Sequence, residues 1–193
     1  MGTYSDALGV DEALEDLAQW VTWADQAHTA GNDTDAEYNL NQFWSAKDAL
    51  DADTTAANIE DVVYLDALSH RVSGYVYMRQ MTDATPEQMA AIADNMKEQF
   101  SLSSSEFSQA GYPLQASHDA LRAQQADSDA QQTKAGYIDA SLVTAVKDRY
   151  HTVLQSAGSV IASAGTVASM LGNPLVLAGL GILAVMFFLG SRK

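Results

Sequence analysis

Apolar residues recur along most of this chain at steps of three and four, the spacing that gathers them on one side of a helix. Val10, Leu14, Leu17, Val21 and Ala24 mark a first helix expected over about residues 6–30, with Trp20 and Trp23 widening its apolar face. Gly31-Asn32-Asp33 then breaks the pattern, because Gly and Asn favour turns and helix ends. In the second helix Thr34 is the expected N-cap, with Glu37 completing a capping box and Leu40, Phe43, Trp44 and Leu50 buried. The third is expected to begin around residues 54–56 and end near Met81, carrying Ile59, Val62, Val63, Leu65, Val72 and Val76. Residues 72–77 have the Val and Tyr content of a strand, but the surrounding helical spacing and the lack of a hairpin partner favour helix.

Thr85-Pro86-Glu87-Gln88 reads as a helix start: Thr caps, Pro sits where its missing N–H is harmless, and Gln88 closes the capping box. Met89, Ile92, Ala93, Met96 and Phe100 form the stripe that follows. Ser103 and Glu106 repeat the capping-box spacing before Gly111-Tyr112-Pro113 punctuates the chain. Residues 114–133 are rich in Ala, Gln and Asp and poor in large apolar side chains. That composition favours a helix that buries little, hence a surface helix, a spacer or a partly ordered connection.

The pattern changes near the C-terminal end. Between Thr152 and Ser191 there is no ionisable side chain. Residues 171–190 would make a helix of about 30 Å, the thickness of bilayer hydrocarbon. Leu171, Pro174, Leu175, Leu177, Leu180, Ile182, Leu183, Phe187, Phe188 and Leu189 are the expected membrane-anchoring positions, with Arg192 and Lys193 flanking them. The window before it is made of small residues. Leu154, Ala157, Ile161, Ala164, Ala168 and Gly172 make a narrow seam suited to packing against another helix, its small side chains letting two backbones approach closely. Ser156, Ser159, Ser163 and Thr166 line another side. Two topologies compete. In one, residues 171–190 span once and the small-residue helix is a stalk. In the other, Gly172-Asn173-Pro174 turns and both helices insert, placing Lys147, Arg149, Arg192 and Lys193 on one side of the membrane. The serine-rich first arm of such a hairpin would need internal partners for its hydroxyls in lipid.

The fold class expected is therefore all-α: an acidic, bundle-like helical domain over residues 1–110, a spacer or surface helix over 111–135, a small-residue stalk or packing helix over 136–172, and a transmembrane anchor over 173–193. Charge sharpens this division. All 25 acidic residues lie at or before Asp148, and only 8 of the 10 basic ones lie in the same part of the chain, through Arg149. So negative a surface repels phosphate backbones and argues against nucleic acid as a partner. It suits solubility in a salty or crowded setting, or a basic partner. The absence of cysteine removes disulfides and thiolate chemistry. Residues 1–10 lack a basic, then apolar, leader pattern, so insertion is expected to rely on the C-terminal segment.

Candidate chemistry is sparse. His28, His70, His118 and His151 each read as isolated, with no second ligand at the helical i, i+4 spacing of the HExxH kind, so no metal ligand is assigned. Asp33, Asp35 and Glu37 resemble the opening of a calcium loop, but Tyr38 stands where glycine is required and Trp44 where the closing glutamate belongs. Acidic pairs such as Glu12 with Asp16 and Glu60 with Asp61 fall where helical periodicity faces solvent, unlike the carboxyls of a glycosidase cleft. No catalytic, cofactor-binding or metal residue is assigned, and no cofactor. Trp20, Trp23, Trp44, Tyr64, Tyr75 and Tyr77 suit core packing better than a ligand platform, and Met78, Met81, Met89 and Met96 suit gap-filling.

The function expected is a non-enzymatic, membrane-anchored structural or interaction protein. Its partners are a lipid bilayer and, through self-association or contact, copies of itself or other membrane or shell proteins. An integral protein of a membrane-containing virion, linking lipid layer to protein shell, fits this description, and so does a cellular membrane scaffold. The competing readings are a membrane-tethered hydrolase and a factor that permeabilises bilayers through a C-terminal helical hairpin.

Overall fold

A computed structural model describes residues 10–51, 59–134 and 139–159, and the regular structure among them is entirely α-helical. Six helices follow one another: α1 Val10–Thr29, α2 Asp33–Asp51, α3 Ile59–Asp83, α4 Pro86–Gln109, α5 Pro113–Lys134 and α6 Ala140–Ala157. The all-α expectation holds. Among the described residues no helix is long and apolar enough to cross a membrane. The proposed anchor, Leu171 through Leu189, lies outside them, as do the seam positions Ile161, Ala164, Ala168 and Gly172.

Short turns set the topology, since a connection of two or three residues leaves consecutive helices antiparallel. After α1, Gly31 takes φ 82°. Its N–H bonds the His28 carbonyl and that of Asn32 bonds Ala27, which closes a Schellman motif. Gly111, also at φ 82°, repeats the device after α4. There the N–H of Tyr112 bonds the Phe107 carbonyl, and the two rings pack with centroids 6.3 Å apart, the apolar contact that accompanies such a cap. The start of α2 departs from expectation. Asn32, not Thr34, caps it, with Oδ1 accepting from the Asp35 N–H at 3.2 Å. Its amide can serve the N3 position in the same way, so the cap slides to the residue the turn has already placed. At α4 the expected box forms, the Thr85 N–H donating to Gln88 Oε1 at 2.9 Å. Ser103 and Glu106, by contrast, lie within α4 and start nothing.

The third helix is the hub, in contact with α1, α2, α4 and α6. Val62, Tyr64, Leu65, Ala67, Leu68, Val72, Tyr75, Val76, Met78 and Met81 are all buried, so it is apolar nearly all round, as a helix surrounded by others must be. The strand-like 72–77 stretch is helical, and its branched residues fill the centre of the molecule. α4 offers Met89, Ala93, Met96, Phe100, Ser103 and Phe107, alternating steps of four and three, as one seam. The methionines named above are buried and fill gaps as expected. Tyr64 and Tyr75 are core residues, whereas Trp23 is exposed beside Trp20.

The Ala/Gln/Asp-rich stretch forms α5, which lies along α4. Ala116, Ala123, Ala126 and Ala130 are its buried face. Small side chains allow close backbone approach, and Ser104 of α4 donates across the seam to the Ala116 carbonyl at 2.8 Å. α6 packs on α3 through Val146 and Tyr150, with Asp139 capping it by accepting from the Leu142 N–H at 2.8 Å. It ends at Ala157, where Gly158 takes φ 55° and ψ −143°.

Candidate functional site

Buried carboxylates organise the polar interior, and three clusters stand out. Burying a charge is costly unless it is paired and hydrogen-bonded, so each cluster must be accounted for by its partners.

Asp119 on α5 is fully buried. Its Oδ2 accepts from Arg71 Nε of α3 at 2.8 Å and lies 2.6 Å from Ser103 Oγ of α4. Oδ1 accepts from Arg122 Nη1 at 2.9 Å. Arg71 also donates to the Gln115 carbonyl and stacks on the Phe107 ring at 4.3 Å. Every ligand atom here is used, so the cluster is a rivet joining three helices.

Asp129, one long face away on the same helix, is likewise fully buried. Arg149 Nη1 donates to Oδ1 at 2.6 Å, Gln125 donates to the same oxygen, and the Tyr150 hydroxyl donates to Oδ2. Burial, followed by this bond to Asp129, pushes the Tyr150 hydroxyl pKa well above its usual value. This second rivet fastens α6 to α5.

The third cluster is different. Asp66 and His70 stand one turn apart on α3, Glu106 faces them from α4, and Lys47 reaches in from α2. Lys47 Nζ holds Asp66 Oδ2 at 2.9 Å. His70 Nδ1 lies 2.8 Å from Gln99 Oε1, an atom that only accepts, so Nδ1 donates there and the ring turns Nε2 toward the carboxylates. Nε2 is 3.7 Å from Asp66 Oδ1 and 3.6 Å from Glu106 Oε1, too far for hydrogen bonds. Asp66 Oδ1 and Glu106 Oε2 are buried without a hydrogen-bond partner. Burial, then the negative charge of Asp66 and a hydrogen bond to its carboxylate, push the Glu106 carboxyl up to about 8, against the opposing pull of Lys47. Trp44 leans over His70 with ring centroids 5.8 Å apart and donates its N–H to Ser69 Oγ at 3.0 Å, closing one wall.

Comparison with family models, curated proteins and solved structures finds no match for this chain.

Of the residues singled out from sequence, Leu154 and Ala157 pack against the core of the head, so these two seam positions face inward. Asp33, Asp35 and Glu37 lie in the first turns of α2 and turn to separate partners, Arg79, Asn32 and Gln80 respectively. They form no loop of converging oxygens. His28 is buried at the end of α1, where Arg79 Nη2 bonds its carbonyl. The expectation that each histidine stands isolated fails at His70, which has Asp66 one turn before it on α3. The signal was an aspartate four residues before a histidine, and its completion by Glu106 is a tertiary event.

Proposed function

We propose that this protein is a membrane-held structural protein, non-enzymatic, with a rigid acidic helical head and a C-terminal segment that inserts into a bilayer. The observation that carries the reading is how the head delivers the chain to that segment. The last described helix is riveted to α5 through Asp129, Arg149 and Tyr150, and Ser159 donates to Asp25 of α1 at 2.6 Å. The charge-free residues follow at once. A head so joined suits a part that sets the spacing between a lipid layer and a protein layer, as in a membrane-containing particle or a membrane scaffold. Ile161, Ala164, Ala168 and Gly172 would pair the chain with copies or with neighbouring membrane proteins.

Flotation of the full chain with liposomes is the test. The full chain is expected to rise with the lipid, whereas the double variant L180R/L183R is expected to stay at the bottom. Each arginine at the middle of a span costs about 2.5–3.5 kcal/mol on insertion scales. A full chain that remains soluble and unbound without detergent overturns the reading.

A further inference from the structure

We propose that Asp66, His70 and Glu106 bind one divalent transition-metal ion of the zinc type, clasping α3 to α4. The site is independent of the membrane reading above and stands whether or not that reading does. Three observations carry it.

The ligand atoms converge at a suitable scale. In a tetrahedral site with bonds of about 2.1 Å, neighbouring ligand atoms stand about 3.4 Å apart. His70 Nε2 lies 3.7 Å from one carboxylate oxygen and 3.6 Å from another, and all three ligand atoms fall within 4.8 Å of one another.

Each of the two carboxylates carries a buried oxygen with no close hydrogen bond. Asp66 is only 8% exposed, and its Oδ1, the oxygen 3.7 Å from His70 Nε2, has no close hydrogen bond; at Glu106 it is the oxygen farther from His70, Oε2, that has none. At the fully buried Asp119 and Asp129 both oxygens are hydrogen-bonded.

The surroundings orient the ligands. Gln99 holds His70 by Nδ1 and so aims Nε2 into the gap, the role an outer-shell acceptor plays for a metal-bound imidazole. Lys47 engages Asp66 Oδ2 and leaves Oδ1 for the ion. One imidazole with two carboxylates favours zinc or cobalt over the alkaline earths, which prefer oxygen alone. Three protein ligands leave a fourth position for water.

The full chain in detergent, stripped with a chelator, is titrated with Co2+ and then Zn2+, with Mg2+ and Ca2+ as comparisons. One Co2+ per chain is expected to give visible ligand-field absorption that Zn2+ abolishes and Mg2+ and Ca2+ leave in place. Gln99→Ala keeps all three ligands and is expected to weaken binding about 10–100-fold. His70→Ala is expected to lose the absorption, and His118→Ala to keep it. Absence of the absorption from the folded wild-type chain overturns the proposal. So does binding of several weak equivalents that His70→Ala leaves intact, since that is the signature of a diffuse acidic surface.

Discussion

Gly74 of α3 lies directly beneath the ring of Phe100 of α4, so close that a Cβ at that position would stand 2.8 Å from two ring carbons. The hub helix meets its largest neighbour at the one residue without a side chain, and the buried aromatic fills the space. Gly74→Ala gains about 1 kcal/mol in helix propensity and loses about 1–3 kcal/mol to overpacking. With the ring carbons that close, a net loss of up to about 2 kcal/mol is expected, read as a lower urea midpoint. An unchanged or higher midpoint would show that Phe100 yields freely.

Asp119→Asn is expected to cost far more. It strands Arg71, itself buried, without its countercharge, and breaking a buried pair in this way costs about 3–5 kcal/mol. The exposed pair of Lys97 and Asp127, at 2.7 Å, has equally good geometry. Solvent screens it, so Lys97→Ala is expected to leave the midpoint where it was. Equal effects from the two variants would refute this ranking by burial.

The Glu106 carboxyl is raised from 4.5 to about 8 in the fold, with Asp66 and His70 of α3, Lys47 of α2 and Gln99 of its own helix around it. A raised acid contributes stability that is fully present below its unfolded pKa and lost as pH rises through the folded one. With chelator present, stability is therefore expected to decline between about pH 4.5 and pH 8 more steeply in the wild type than in Glu106→Gln. Chemical denaturation of both across that range is the check, and parallel curves would count against it.

Tyr150→Phe removes the hydroxyl that donates to the buried Asp129 while keeping the ring that packs on the core. A loss of about 1–3 kcal/mol is expected. Amide hydrogen exchange should accelerate most in α6, because Arg149 alone then joins it to Asp129. Acceleration spread evenly over α1 and α4 would instead mean that α6 is no separate unit.

Most of this architecture was legible where one turn carries one large apolar residue. The stripes of α1 and α4, the Thr85-Pro86 start and the two glycine turns follow from local spacing alone. Two things were less legible, for related reasons. α5 has the composition of a solvated helix, yet its alanines and two aspartates face inward, and what pairs those aspartates comes from Arg71 and Arg149, distant in sequence. The third cluster hides in the same way: Glu106 reads as half of a capping box until α4 is seen to run straight through it. Burial of a charge is decided by a partner that periodicity does not name.

The junction at the end of α6 carries one further meaning. A body hung from a single point swivels, whereas one held at two points keeps its heading. Asp129 grips α6 on one side, and Asp25 takes the Ser159 hydroxyl on another. Whatever the outgoing chain is moored to would thus fix not only how far the head stands off but which flank it shows to its neighbours.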